Sequence, residues 1–124
     1  MKLLLDTHVL VWAAIGDPKL SKAAIALIDD PANTLYFSAA SLWELTIKGA
    51  ARTGVDPAQL RGALLAVGYR ELPISAEHTL AVGELPDHHR DPFDRILAAQ
   101  AQVEGLHLVT HDRTLSAYPH TLLV

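Results

Sequence analysis

The chain is 124 residues long, with ten Lys and Arg against fourteen Asp and Glu, a formal charge of −4 and no Cys. That length suits one domain able to bury about two thirds of its unfolded surface, so residues 1–124 are read as a single domain. The absence of cysteine excludes a disulfide framework and a thiolate zinc site, and the acidic balance excludes the broad basic face that grips duplex DNA.

Leu3-Leu4-Leu5 lacks the alternation of a half-exposed strand and stops at Asp6, so it reads as a strand covered on both faces with an acid at its carboxyl end. Val9 to Ile15 continues as a short helix and breaks at Gly16-Asp17-Pro18. Ser21 caps a helix whose apolar positions are Ala23, Ala24, Leu27 and Ile28. Thr34 to Phe37 is β-branched and aromatic, a second strand; Ser38 or Ala39 then opens a helix that carries Leu42, Trp43, Leu45 and Ile47 and fades near Gly49. After the Gly54-Pro57 turn another helix runs to Gly68, and Pro73 restricts the Arg70–Ile74 stretch to a sheet edge. Ala76 to Leu85 is helical, followed by the polar loop Pro86-Asp87-His88-His89-Arg90.

The best-bracketed helix has Asp91 at the N-cap, Pro92 at the first position and Gly105 at the far end. Leu106 to Thr110 is a strand that runs into His111-Asp112, and Thr121 to Val124 adds an edge strand. Strands alternating with helices, without hairpin signals, predict an α/β fold: a three-layer α/β/α sandwich around a mostly parallel sheet. The N-terminus lacks a signal-peptide pattern, and no apolar segment nears the roughly 20 residues of a membrane helix. The expectation is a cytoplasmic protein without a membrane partner.

Four acids stand where this fold places ligands, outside the carboxyl ends of the strands. Singly, each has an ordinary explanation. Asp6 and Asp112 suit helix caps, Glu44 can pair with Lys48 at i,i+4, and Asp94 lies in the first turn of its helix. Together, separate crossovers would bring all four to one sheet edge, where their charges repel unless a cation offsets them. An all-oxygen set favours magnesium or manganese over zinc, and such an ion suits phosphodiester hydrolysis. A cation at the acids also keeps nucleic acid open as a substrate despite the net charge. The adjacent pair His88-His89 lacks ligand spacing, so the histidines are left out of the metal site.

Leu3 to His8, Ser38 to Glu44, Asp91-Pro92-Phe93-Asp94-Arg95 with Ala98 to Ala101, and Val109 to Asp112 together closely resemble the PIN-domain ribonucleases, specifically the VapC-like toxins of bacterial toxin-antitoxin pairs. The resemblance implies a magnesium- or manganese-dependent endoribonuclease acting on RNA, a cognate antitoxin that blocks the site, and a homodimer. It puts Asp6, Glu44, Asp94 and Asp112 on the family's acidic positions. Asp6 and Asp94 then serve as metal ligands, and Glu44 completes the pocket or orients the nucleophile. Family alignment favours Asp94 over Asp91. The fourth acidic position is the least constant, which leaves Asp112 either on the metal or orienting water beside it. Lys48 and Arg95 are the expected phosphate contacts. Two rivals from other classes are a receiver-like phosphoacceptor domain and a non-catalytic module whose acidic edge holds a basic partner. The receiver needs an acid after a buried mid-chain strand and a Lys after the last core strand, whereas Asp56 follows no such strand and His111 follows Thr110.

Overall fold

The computed structural model describes all 124 residues. Five strands, β1 (Lys2–Leu5), β2 (Thr34–Ser38), β3 (Arg70–Leu72), β4 (His107–Thr110) and β5 (Thr121–Leu123), form one sheet. They pair in parallel throughout, in the order β3-β2-β1-β4-β5. The helices are α1 (Thr7–Ile15), α2 (Lys22–Asp29), α3 (Ala39–Lys48), α4 (Ala50–Thr53), α5 (Pro57–Ala66), α6 (Ala76–Val82) and α7 (Pro92–Glu104), with a 3-10 turn at Leu115–Ala117. The expected α/β/α sandwich is the observed one.

β1 is central, with Leu4 in register with Tyr36 of β2 on one side and Leu108 of β4 on the other. Its three leucines divide between the two cores as the pleat requires. Leu3 and Leu5 pack with Val9, Leu10, Phe37 and Leu60, whereas Leu4 packs with Leu97, Ala98, Leu108 and Tyr118. A continuous apolar run is therefore what this position demands, because neither face meets water. From β1 the chain winds outward to β2 and β3, then returns to the opposite side with β4 and β5. The reversal makes the carboxyl edge between β1 and β4 the topological switch point, where folds of this kind bind ligands. A backbone bond from Asp6 N–H to Val109 C=O, 3.0 Å, ties the two strand ends together there.

The α7 brackets are those expected. Asp91 Oδ1 accepts from the N–H groups of Phe93 and Asp94 at 2.8 and 3.3 Å, and Gly105 ends the helix at φ +68°. β3 lies at the sheet edge, as expected, but stops at Leu72 before Pro73 and does not reach Ile74. Asp6 caps α1 at Thr7 as its position suggested, accepting from Val9 N–H at 2.9 Å. Two other features differ. An extra single-turn helix, α4, sits between Gly49 and Gly54, both at positive φ. α6 ends at Val82, after which Gly83, Glu84 and Leu85 bond back three residues and tighten the chain toward Pro86. The mid-chain strand β3 carries no acid at its end, and Asp56 caps α5 through Ala58 N–H, so the structure offers no phosphoacceptor position of the receiver kind.

Candidate metal centre

Asp6 leaves β1 with only 3% of its surface exposed. Its Oδ1 accepts from Val9 N–H at 2.9 Å, and its Oδ2 accepts from the Thr110 hydroxyl at the end of β4. Those bonds orient the carboxylate and offset part of its desolvation. Burial still outweighs them and raises its pKa, with nearby Asp112 adding to the rise.

Glu44 projects from α3 and is 4% exposed. The expected i,i+4 pair exists: Lys48 Nζ lies 2.6 Å from Glu44 Oε2. It is no solvated surface pair, however, because the Glu44 side chain is buried. Glu44 Oε1 is buried and has no hydrogen-bond partner. Buried polar oxygens are rarely left so, because an unpartnered one keeps its full desolvation penalty.

Asp94 stands in the first turn of α7, next to the Asp91 cap. Its carboxyl is within Coulombic reach of Asp91, Asp6 and Glu44, and burial together with those charges pushes its pKa up to about 7, against a smaller opposing effect of His89. The capping load falls on Asp91, which leaves Asp94 free for other partners. The chain thus brings Asp6 and Glu44 within Coulombic reach of Asp94, with the Lys48 ammonium on Glu44. Divalent-ion chemistry fits these residues on two counts, the partnerless Glu44 oxygen and an all-oxygen donor set that suits a hard cation.

Asp112 lies at the rim, two residues past β4, with its side chain 41% exposed. Burial pushes its pKa up, but bonds from His89 and Thr114 N–H outweigh that and lower it. His89 is the residue that sequence reasoning set aside. Its Nδ1 accepts from Asp91 N–H at 3.0 Å, which puts the proton of a neutral ring on Nε2. Nε2 then donates to Asp112 Oδ2 at 2.8 Å and stands 3.4 Å from Asp94 Oδ2. One atom from each of these three side chains lies within 4.8 Å of the others. In this tautomer Nε2 has no free lone pair, so His89 joins two carboxylates as a donor and stays outside the ligand set. No periodicity marks a loop histidine. The only hint in the sequence is that His89 sits two residues before the cap of the helix that carries Asp94.

Arg95, expected as a phosphate contact, bonds extensively within the protein. Its Nη1 donates to Pro86 C=O, His89 C=O and the Tyr118 hydroxyl at 3.3, 3.1 and 3.2 Å, and its Nη2 donates to Val82 C=O and Leu85 C=O at 3.1 and 3.5 Å. A guanidinium so occupied clamps the end of α6 and the following loop. Lys48, about a third exposed, remains the cation beside the acids. The nearby hydroxyls of Ser38 and Thr7 bond away from the acids, donating to Gln100 Oε1 at 2.6 Å and Ser41 Oγ at 2.9 Å.

A doubly wound parallel sheet with carboxylates gathered at its switch point defines an acid-cluster α/β protein. Residues 3–120 match the PIN domain family, and the chain belongs to it. Among solved structures it is similar to VapBC2 from Rickettsia felis, bound to a DNA fragment from their promoter, with 22% identity, a TM-score of 0.72 and 100% of this chain and 98% of that one covered. A toxin-antitoxin complex from Klebsiella pneumoniae matches with 23% identity and a TM-score of 0.67, covering 97% and 95%. Mycobacterium tuberculosis VapC20, described as a Sarcin-Ricin loop cleaving toxin, matches with 19% identity and a TM-score of 0.67, covering 93% of each chain. At these identities the likeness establishes a shared fold. No curated protein matches the sequence significantly.

Proposed function

We propose that the protein is a divalent-metal-dependent endoribonuclease and the toxin of a toxin-antitoxin pair. The observation that carries the reading is the cluster of Asp6, Glu44 and Asp94, with a buried Glu44 oxygen lacking any partner and an Asp94 carboxyl pushed up to about 7. Membership of the PIN-domain family and the likeness to toxin-antitoxin structures support it. The same reading includes a cognate antitoxin that covers the acids, a homodimer, one domain over residues 1–124, and a bacterial cytoplasmic setting.

Asp6 and Asp94 would hold magnesium or manganese, with Glu44 completing the pocket. The chemistry supplied by such an ion is polarisation of the phosphate and a lower pKa for the attacking water. Asp6 arrives oriented, because Val9 N–H and the Thr110 hydroxyl fix one oxygen each. Lys48 occupies Glu44 Oε2, so Oε1 is the oxygen able to accept a hydrogen bond from the nucleophile and aim it at phosphorus. Asp112, held by His89 and Thr114 N–H, orients water at the rim. Lys48 is the cation positioned to meet a phosphate oxygen.

The test is incubation of purified protein with single-stranded RNA in magnesium or manganese and in EDTA, with end-mapping of the products. Internal cleavage should require the ion and vanish in Asp6→Asn and Asp94→Asn proteins whose circular dichroism is unchanged. Wild-type protein that never cuts RNA in either ion, or a fully active Asp94→Asn, would overturn the assignment.

A further inference from the structure

A cavity of about 310 Å³ opens beside the acids and is lined by Asp6, His8, Trp12, His111 and Asp112. Its two carboxylates belong to the site already described, whereas its three rings have no role there. His8 and Trp12 share a face of α1 at i,i+4, their ring centroids 5.8 Å apart. His111 follows β4 and meets Trp12 at 5.3 Å with the planes 74° apart. His111 Nδ1 lies 3.1 Å from Val124 C=O, so that nitrogen carries the proton and Nε2 is left as an acceptor.

The rings therefore form a corner of two nearly perpendicular planes over an acidic floor. Anions are repelled by that floor, and a purely apolar ligand would strip water from the half-exposed Asp112 carboxylate and from His111 Nε2 without replacing it. A flat ring with N–H groups on its edge satisfies both demands, since its face stacks on one plane while its edge donates to the Asp112 carboxylate and to His111 Nε2. Nucleobases have this form, and one whose neighbours have unstacked has a face to offer. Asp6 and Asp112 border both the cavity and the acid cluster, so a base seated here lies next to a phosphate at the cluster.

We propose that Trp12 and His111 receive a single unpaired base of the RNA substrate, flanking the bond to be cut, and thereby restrict cleavage to positions where a base can be splayed out. This rests on the nuclease reading and names its specificity determinant. Duplex RNA, whose base faces are covered, is excluded from the corner.

The test compares oligoribonucleotides in which each base near the cut is replaced in turn by an abasic ribose, using wild-type, Trp12→Ala and Trp12→Phe protein. One abasic position should lower the wild-type kcat/KM by about 5- to 150-fold, the range that loss of one base–aromatic stack produces. Trp12→Ala should cause a similar loss on the intact strand and no further loss on the abasic one, and Trp12→Phe should recover most of it. Losses that multiply, or a Trp12→Ala protein with unchanged kcat/KM, overturn the proposal and leave the nuclease reading in place. Wild-type protein that cuts nothing removes the nuclease reading instead. Tryptophan fluorescence titrated with adenosine and uridine then decides the pocket: quenching lost in Trp12→Phe supports it, and no quenching overturns it. Trp43, packed edge-on against Phe93 at 5.0 Å, supplies the background emission.

Discussion

Replacing Asp94 with Asn should stabilise the metal-free protein while abolishing its activity. In the folded chain the carboxyl is pushed from an ordinary 3.8 to about 7, which makes its ionisation in the fold costlier by about 4 kcal/mol at the ceiling. The sign follows from proton linkage: between these values the folded chain holds a proton that the unfolded chain has released. The favourable contribution of protonated Asp94 is therefore complete below about pH 4 and lost as pH rises through 7. Local relaxation and water entry reduce the ceiling, so roughly 1 to 3 kcal/mol should be recovered by Asp94→Asn at pH 8. At about 4 °C per kcal/mol for a chain of this length, Tm should rise by about 4 to 12 °C. The assay is thermal unfolding in EDTA from pH 5 to pH 8, followed by the same scan in manganese. The gap should shrink toward pH 5, and manganese should raise the Tm of the wild type but not of the variant. An Asp94→Asn protein less stable than wild type at pH 8, or a gap unchanged with pH, would refute the claim that burial beside other carboxylates makes the ionised Asp94 costly here.

His89→Ala should lower activity or metal affinity by about 10- to 100-fold, as loss of a residue that orients a site carboxylate does. His89→Gln, whose amide nitrogen can replace Nε2 as donor to Asp112, should restore most of it; a pH–rate profile identical in all three proteins would argue against a positioning role. Arg95→Met should cost about 2 to 4 kcal/mol in urea unfolding and speed amide exchange across residues 83–91, because several carbonyls lose their donor. Arg95→Lys should not rescue it, since one ammonium cannot span the fork; a Lys variant that keeps its stability and only raises KM would return Arg95 to the phosphate.

Local signals in the chain were strong where they depended on neighbours in sequence. Asp91, Pro92 and Gly105 mark α7 because caps and φ preferences act over a few residues, and the unbroken leucines of β1 announce burial on both faces. The pairing of Glu44 with Lys48 was legible for the same reason. That Glu44 is buried with an unpartnered oxygen was not, because it depends on how α3 packs in the tertiary fold. His89 and Asp112 are 23 positions apart and meet only once the loop before α7 is folded, so no spacing rule could link them. Arg95 shows the opposite limit. A cation beside an acid in the sequence invites a phosphate, but the carbonyls at the end of α6 and in the loop are closer and occupy it. Four-residue α4 escaped notice because two glycines at positive φ, rather than an apolar stripe, define it.

The middle strand of the sheet is the first one made, and its lateral partner β4 arrives near the far end of the chain. Asp6 and the threonine hydroxyl that aligns it are separated by 104 positions. Contacts of such long sequence separation form late and slowly, because loop closure precedes any gain from pairing. A growing polypeptide therefore carries Asp6 without its aligning hydroxyl, and the acids after β1 and in α7 apart, until β4 has emerged and docked beside β1.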